Sequence, residues 1–350
     1  MIYSNWPKNE SKPVTMKIEK IEQREWYRII SKFEDISLIQ LWEYNQAKVN
    51  LGQGRAIQHL FWKKNEIIGA AQAIIRTIPF CKRGLVWINR APLWRKIGEK
   101  ENIALLKNMI KELQKYWVDR KKMYLRIVPP LLDNEENQIV LKEMGFSLCS
   151  PSFKWTSARV NLTRPEEDLR KGLNQKWRNN LNKAERFGLS FEFGNSSELI
   201  SELIFDYKKQ LQNNNFKASI SPEFISILQN LLPDEKKMWV FAGRYNGEKL
   251  GGILIAPYGD VCEYIVGAVN CIGKKYNAGQ FLLWCAICEM KKLGYRWFDV
   301  GGADPLRTPQ GIFHFKEGLN GMPYRLIGEW EVANSFTQKL IKRLVEFRRK

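Results

Sequence analysis

The stretch Tyr295 to Gly321, YRWFDVGGADPLRTPQGIFHFKEGLNG, sets residues that could do chemistry beside residues that could hold them. Lys316 follows Phe313 and Phe315, a cation next to aromatic rings. Upstream, Tyr295, Trp297 and Asp299 alternate with Arg296, Phe298 and Val300, and this period of two predicts a strand. Gly301 and Gly302 then free the backbone for a tight turn and for close approach to a ligand. Open α/β sheets bind ligands at the carboxyl ends of their strands, which makes this the leading candidate site. The same spacing also fits a surface loop with a solvated lysine.

Two further stretches carry charge. The predicted helix from Pro165 to Phe187, with Thr163 as its cap, bears Lys176, Arg178 and Lys183 broadly along one side, together with Arg170, Lys171 and Arg186. That face suits phosphate or a polynucleotide backbone, and a solvated helix explains it equally well. The run from Gly273 to Gln280 precedes a helix whose first N–H groups could cradle an anion. Acetyl-CoA-dependent acyltransferases of the GNAT type carry R/Q-x-x-G-x-G/A there. In this chain Lys274, Asn277 and Gly279 hold the three positions, and the lost glycine counts against acetyl-CoA.

Composition argues against several other chemistries. Two histidines, His59 and His314, are too few for a histidine-rich metal site and argue against a Ser-His-Asp arrangement. Cys81, Cys149, Cys262, Cys271, Cys285 and Cys288 show no zinc spacing. Cys285 and Cys288 lie in an apolar helical run and read as two buried thiols rather than a redox pair. No metal and no cofactor is expected. Lys and Arg number 56 against 37 Asp and Glu, a net charge of +19 that favours polyanionic partners or follows from solubility alone. With no signal peptide and no apolar run near the ~18 residues of a membrane span, the expected location is cytoplasmic.

The elements that would position these residues fall into two similar series. Ile18 to about Val49 reads as mostly helical, after a polar start over residues 1 to 16. His59–Trp62 and Ile67–Ile75 form a hairpin, Trp87–Leu93 a short strand, Ile103–Val118 an amphipathic helix and Met123–Val128 a strand. In the second series Met238–Ala242 and Leu250–Ala256 form a hairpin around Tyr245-Asn246-Gly247-Glu248, and the helix Phe281–Leu293 feeds the strand at Tyr295. Matching pairs lie roughly 170 to 180 residues apart, so one α/β domain is used twice.

At this point the chain resembles the FemABX aminoacyltransferases of peptidoglycan cross-bridge synthesis. The likeness rests on AKVNLG (Ala47 to Gly52), WINRAPLW (Trp87 to Trp94), KWRNNLNKAERFGLSF (Lys176 to Phe191), and FDVGG followed by GIFHFKEGLNG. It is similar to the compact members without a coiled-coil arm. The resemblance implies an α/β fold of two tandem GNAT-like domains. The first would span 14–152 and be completed by 325–350; the second would span 153–324. It implies aminoacyl-tRNA as donor and a UDP-linked or lipid-linked muramyl peptide as acceptor, with no cofactor.

In that chemistry an amine attacks an ester carbonyl, and a fixed cation stabilises the oxyanion that develops. Lys316 is the catalytic candidate, with Phe315 holding it. Lys48 matches a lysine for the precursor phosphates. Lys176, Arg178, Lys183, Tyr264, Asp299, Gly301 and Gly302 complete the expected substrate-binding set, although Asp299 also fits a structural brace. Apolar Ile220 and Phe224, in the segment after Asn215, stand where compact members carry Arg and Tyr. No catalytic base stands out.

Other functions fit the same residues: N-acyl transfer from acyl-CoA to a sugar or polysaccharide precursor, tRNA-dependent aminoacylation of another amine, or non-enzymatic RNA or membrane binding. Near the end, Phe336, Leu340, Leu344 and Phe347 form one apolar stripe among Lys339, Lys342, Arg343, Arg348, Arg349 and Lys350. The stripe is expected to pack on the first domain; peripheral contact with the inner membrane face is the alternative.

Overall fold

The computed structural model describes residues 14–78, 83–150, 153–213 and 220–347, with Glu346 and Phe347 described by their backbone alone. Residues 1–13, Cys81, Asn215 and Arg348, Arg349 and Lys350 lie outside the described residues.

The first half runs β1 (Thr15–Glu19), α1 (Gln23–Ile30), α2 (Trp42–Asn50), β2 (Ala56–Lys63), β3 (Ile67–Thr77), β4 (Gly84–Asn89), α3 (Ile103–Leu113), β5 (Tyr124–Val128), α4 (Glu135–Glu143) and β6 (Ser147–Leu148). The second begins with β7 (Thr156–Asn161), α5 (Glu166–Gly172), α6 (Gln175–Arg186), β8 (Ser190–Gly194), α7 (Ser197–Asn213) and α8 (Pro222–Leu231). It continues through β9 (Trp239–Tyr245), β10 (Glu248–Tyr258), β11 (Val261–Val269), α9 (Cys271–Lys275), α10 (Ala278–Lys292), β12 (Trp297–Asp299), α11 (Gln310–Glu317) and β13 (Met322–Arg325). β14 (Trp330–Val332) and α12 (Phe336–Phe347) close the chain.

Two sheets result, in the orders β1-β2-β3-β4-β5-β14-β6 and β8-β9-β10-β11-β12-β7-β13. They correspond strand for strand, each with one parallel pair in the middle, β4/β5 and β11/β12. The correspondence exposes a late return of the chain to the first sheet. The strand beside β12 is β7, which follows the first half in sequence, and the strand beside β5 is β14, which follows the second. The first sheet is therefore completed by a strand that follows the whole second half, whereas β7 opens the half whose sheet it joins. A cross-strand ion pair pins each of these two strands, with polarity reversed: Arg126 on β5 to Glu331 on β14 at 3.1 Å, and Asp299 on β12 to Arg159 on β7 at 3.3 Å.

Between the sheets the core is continuous. Trp26, Ile30 and Phe33 of the first half share one cluster with Phe224, Leu228, Leu254 and Tyr258 of the second. Helices α6 and α10 cover the opposite face of the second sheet, with Trp177, Leu181, Leu282 and Ile287 buried against Phe241 and Phe298.

Several sequence expectations change. The predicted helix over 18–49 is strand β1 followed by two helices, because Ile18 pairs with Leu60 at the sheet edge. The strand at Trp87 stops at Asn89, where Arg90 turns the chain with φ 51. The single helix over 165–187 is two. Leu173 is extended between them, Asn174 caps α6 by accepting from the Lys176 N–H, and Thr163 instead donates its hydroxyl to Asn161.

The C-terminal helix packs by the face opposite to the expected one. Ile341 and Gln338 are buried, whereas Phe336 is 83% exposed and Leu340 and Leu344 are each 49% exposed. Gln338 lies in the seam because its amide group has partners there: it donates to the Val118 and Met123 carbonyls and accepts from the Asn334 and Ser335 N–H groups.

Candidate active site

Asp299 ends β12 and organises the turn beyond it. One carboxylate oxygen accepts from Ser157 Oγ (2.5 Å) and the Gly301 N–H (3.0 Å); the other accepts from Tyr324 OH (2.6 Å) and Arg159 Nε (3.3 Å). The Gly301 backbone has φ 64, and a Cβ there would lie 2.1 Å from the Tyr264 carbonyl oxygen, so only glycine fits. With the turn fixed, the carbonyls of Gly301 and Gly302 converge on one point, and the Lys316 ammonium occupies it at 3.1 and 2.9 Å. The Tyr264 ring lies 5.1 Å away.

Lys316 is 7% exposed, and no carboxylate lies within ion-pair distance of it among the described residues. Burial lowers its pKa to about 8, with the charges of Glu263 and Asp299 opposing the shift. An ammonium has three N–H donors, and two are used, so one is left for a ligand. A buried cation without a counter-ion is costly to keep, which marks the place as a site rather than a structural contact.

The helix carrying Lys316 is braced from behind by α6. Trp177 Nε1 donates to the Phe315 carbonyl at 3.0 Å, and the Trp177 side chain packs against Gly318, where a Cβ would come within 2.4 Å of it. The Phe315 ring lies between Trp177, at 6.2 Å, and Gly279 at the start of α10. Asn277, just before that helix, adopts φ 57, the left-handed conformation a glycine would otherwise supply.

The structure thus brings Lys316, Phe315, Tyr264, Asp299, Gly301 and Gly302 together. The other predicted residues lie apart. Lys48 on α2 sits 4.5 Å over the Phe224 ring and 5.7 Å over Tyr44, half-buried, its pKa lowered by burial and then by Arg76. Phe224, where the resemblance implies Tyr, therefore supports Lys48 with an aromatic face. Lys176 and Lys183 are exposed on one side of α6. Arg178 is turned from them and held locally, donating to the Lys171 carbonyl and to Gln175 Oε1. His314 is exposed and paired with Glu317. Cys285 and Cys288 are half-buried free thiols whose pKa values burial raises, and no group of potential metal ligands occurs among the described residues.

Two charged residues of the site were not anticipated. Glu263 on β11 lies directly beside Asp299 in the strand register, is 6% exposed, and accepts from Tyr258 OH at 3.0 Å. Arg90, from the loop after β4 in the first half, is 8% exposed and stacks 4.7 Å from the Trp155 ring.

Residues 170–317 match the family model of the GNAT acetyltransferase domain, a segment that contains Lys316. No curated protein gives a significant match. Among solved structures, FemX superposes with a TM-score of 0.78 at 14% identity, over 94% of this chain and 100% of that one. The fold is that of FemX. A conserved protein of unknown function from Bacteroides thetaiotaomicron superposes at 0.58 with 10% identity, over 91% of this chain and 99% of that one. The C-terminal domain of a putative lysylphosphatidylglycerol synthetase from Agrobacterium fabrum gives 0.53 at 14%, over 92% and 95%. The FemX-like architecture is a tandem of two GNAT-like domains, and its second half carries an acyltransferase-type domain with Lys316 near its end. No helix among the described residues is long and apolar enough to cross a membrane.

Proposed function

We propose that this protein is an aminoacyltransferase that moves an amino acid from aminoacyl-tRNA to an amine of a muramyl-peptide precursor, UDP-linked or lipid-linked, forming a peptide bond. The observation that carries this reading is Lys316: a buried cation with one free N–H, held by two carbonyls at the end of β12 in a FemX-like fold. When the amine attacks the ester carbon, negative charge grows first on the carbonyl oxygen and then on the departing ribose oxygen. A cation already fixed there stabilises that charge without reorganising. Lys48, cushioned on Tyr44 and Phe224, is assigned to the precursor phosphates, and the exposed Lys176 and Lys183 to the donor's polyanionic backbone. For the domains we propose 14–152 with 325–350, and 153–324.

A second reading, N-acyl transfer from an acyl-CoA to a sugar or polysaccharide precursor, draws support from Asn277. Its left-handed backbone keeps the turn that leads into the N-terminus of α10 despite the missing glycine. The donor decides between them. With a charged tRNA pool and a UDP-muramyl peptide, product formation that ribonuclease abolishes supports the first reading. Release of a free thiol from acyl-CoA, insensitive to ribonuclease, overturns it in favour of the second.

A further inference from the structure

Arg90 reaches the site from the other half of the chain, in the turn after β4, where its backbone adopts φ 51. It is 8% exposed and makes no hydrogen bond or ion pair among the described residues. Its guanidinium lies 4.7 Å from the Trp155 ring. A guanidinium carries five N–H donors, and buried donors almost always find partners. The nitrogens of Arg90 are not sealed from solvent, unlike Nε of Arg95 and of Arg126, so they line an opening.

The groups that Arg90 faces are already committed. Tyr324 gives its hydroxyl to Asp299, and Tyr258 gives its own to Glu263. Asp299 is also ion-paired with Arg159. Among these groups, Lys316 and Arg90 are left with Glu263 as the one carboxylate not otherwise ion-paired, a surplus of one positive charge. Burial, then the Asp299 charge, pushes the Glu263 carboxyl up to about 7, which weakens it further as a counter-ion. A buried cluster with one cation in excess is placed to take an anion.

Trp155 fixes where that anion would sit. Arg90 stacks on its ring. Gly302, whose carbonyl accepts from Lys316, packs against the rim of the same ring, which would lie 3.4 Å from a Cβ there. The two cations are therefore separated by about one indole. Lys316 is assigned to the carbonyl under attack, so the anion held by Arg90 belongs close to the attacking nitrogen. Stacking keeps the guanidinium flat and leaves its edge for a flat partner with two oxygens, which a carboxylate matches in two parallel bonds.

We propose that Arg90 binds a carboxylate on the same carbon that bears the accepting amine, so that the acceptor is an α-amino carboxylate rather than a simple alkyl amine. This rests on the amine-acylation reading above. Lys316 and Arg90 then hold the two ends of one short unit, the carbonyl under attack and the carboxylate beside the attacking nitrogen.

The test uses two acceptors that differ in this one group. One is a UDP-muramyl peptide carrying diaminopimelate, whose distal amine stands beside a free carboxylate; the other is its lysine counterpart, which lacks that carboxylate. Wild type should prefer the first by roughly 10- to 100-fold in kcat/KM, the worth of a hydrogen bond to a charged group. R90Q should erase that preference by raising KM for the diaminopimelate acceptor with kcat little changed, and should treat the lysine acceptor as wild type does. R90K keeps the charge but not the fork and should fall between them. Equal use of both acceptors by wild type overturns the role. So does an R90Q that weakens both alike, the result expected if Arg90 held the pyrophosphate they share. Calorimetry with free meso-diaminopimelate separates this site from the transfer reaction. Binding by wild type but not by R90Q, with none of cadaverine, the same diamine without carboxylates, supports the site even where no muramyl peptide is consumed. Failure of wild type to distinguish the two diamines overturns it.

Discussion

Lys316 gives two of its three N–H groups to backbone carbonyls and leaves one unused, so its charge serves the site at a cost to the fold. Lys316→Met should lower kcat by roughly 10²-fold or more, the scale of a single oxyanion donor, and wild-type turnover in that variant would remove the assignment. The pH dependence follows from a pKa of about 8: transfer that needs the ammonium should decline above pH 8. Stability should move the other way. Because the folded pKa lies below the ordinary value of 10.5, the penalty for burying the charge is complete below pH 8 and fades as pH rises toward 10.5. It is on the order of 3 kcal/mol at 1.36 kcal/mol per unit. Lys316→Met should therefore melt higher than wild type at pH 7, with the gap narrowing by pH 10. Trp177 acts one step back. Trp177→Phe removes its bond to the Phe315 carbonyl and should cost about tenfold in kcat, the worth of one hydrogen bond, without changing KM. A matching rise in KM would mean that Trp177 shapes substrate binding instead.

At the level of elements, α6 and α12 each show what periodicity can and cannot decide. Neutralising Lys176 and Lys183 should lower the salt slope of tRNA binding by about two, whereas Arg178→Gln should leave it unchanged, because Arg178 is already tied to Lys171 and Gln175. On α12, Ile341→Ala should destabilise the protein by about 2–5 kcal/mol, and replacing Phe336, Leu340 and Leu344 by Ser should leave the melting temperature unchanged. Loss of stability in the triple variant would return the exposed stripe to the core. The stripe was visible in the sequence, but a second one, Ile341 and Val345 around Gln338, seats the helix. The hairpin at Tyr245 to Glu248 was legible because its turn chemistry is local: Asn246 and Gly247 have φ 49 and 81. The lysine at the strand end was legible for the same reason, since the Gly-Gly turn and Lys316 lie close in sequence. Arg90 and Glu263 were not, because their shared environment depends on docking the halves.

Across the whole molecule, the candidate lysine site lies at a strand end of the second copy of the domain. Where Asp299 leads into Gly301 and Gly302, the matching strand β5 leads from Val128 into Pro129 and Pro130. The return of β14 to the first sheet nevertheless makes the copies interdependent. Arg126 and Glu331 are 4% and 1% exposed, and Arg126→Met removes the guanidinium from Glu331 while leaving that carboxylate its ion pair with Lys342 and its bonds from Tyr124 and Cys149. We expect a loss of about 1.5–3 kcal/mol, the worth of a hydrogen bond to a charged group, read as a single cooperative transition covering both halves. Two separate transitions would show that the first half unfolds alone.

The late arrival of β14 also sets a timetable for biosynthesis. Cys149 lies beside Glu331 in the finished fold, yet the two are 182 residues apart in the chain. At about 5–20 residues per second a ribosome needs roughly 10–40 s to bridge that gap. Until then β5 and β6 wait with an empty slot between them, and an unpaired strand edge invites pairing with another chain. Neighbouring ribosomes on one message would bring such edges close together. A nascent chain stalled before Trp330 should therefore be recognised by chaperones or trade strands with its neighbour, and a synthetic peptide spanning 326–347 should rescue it.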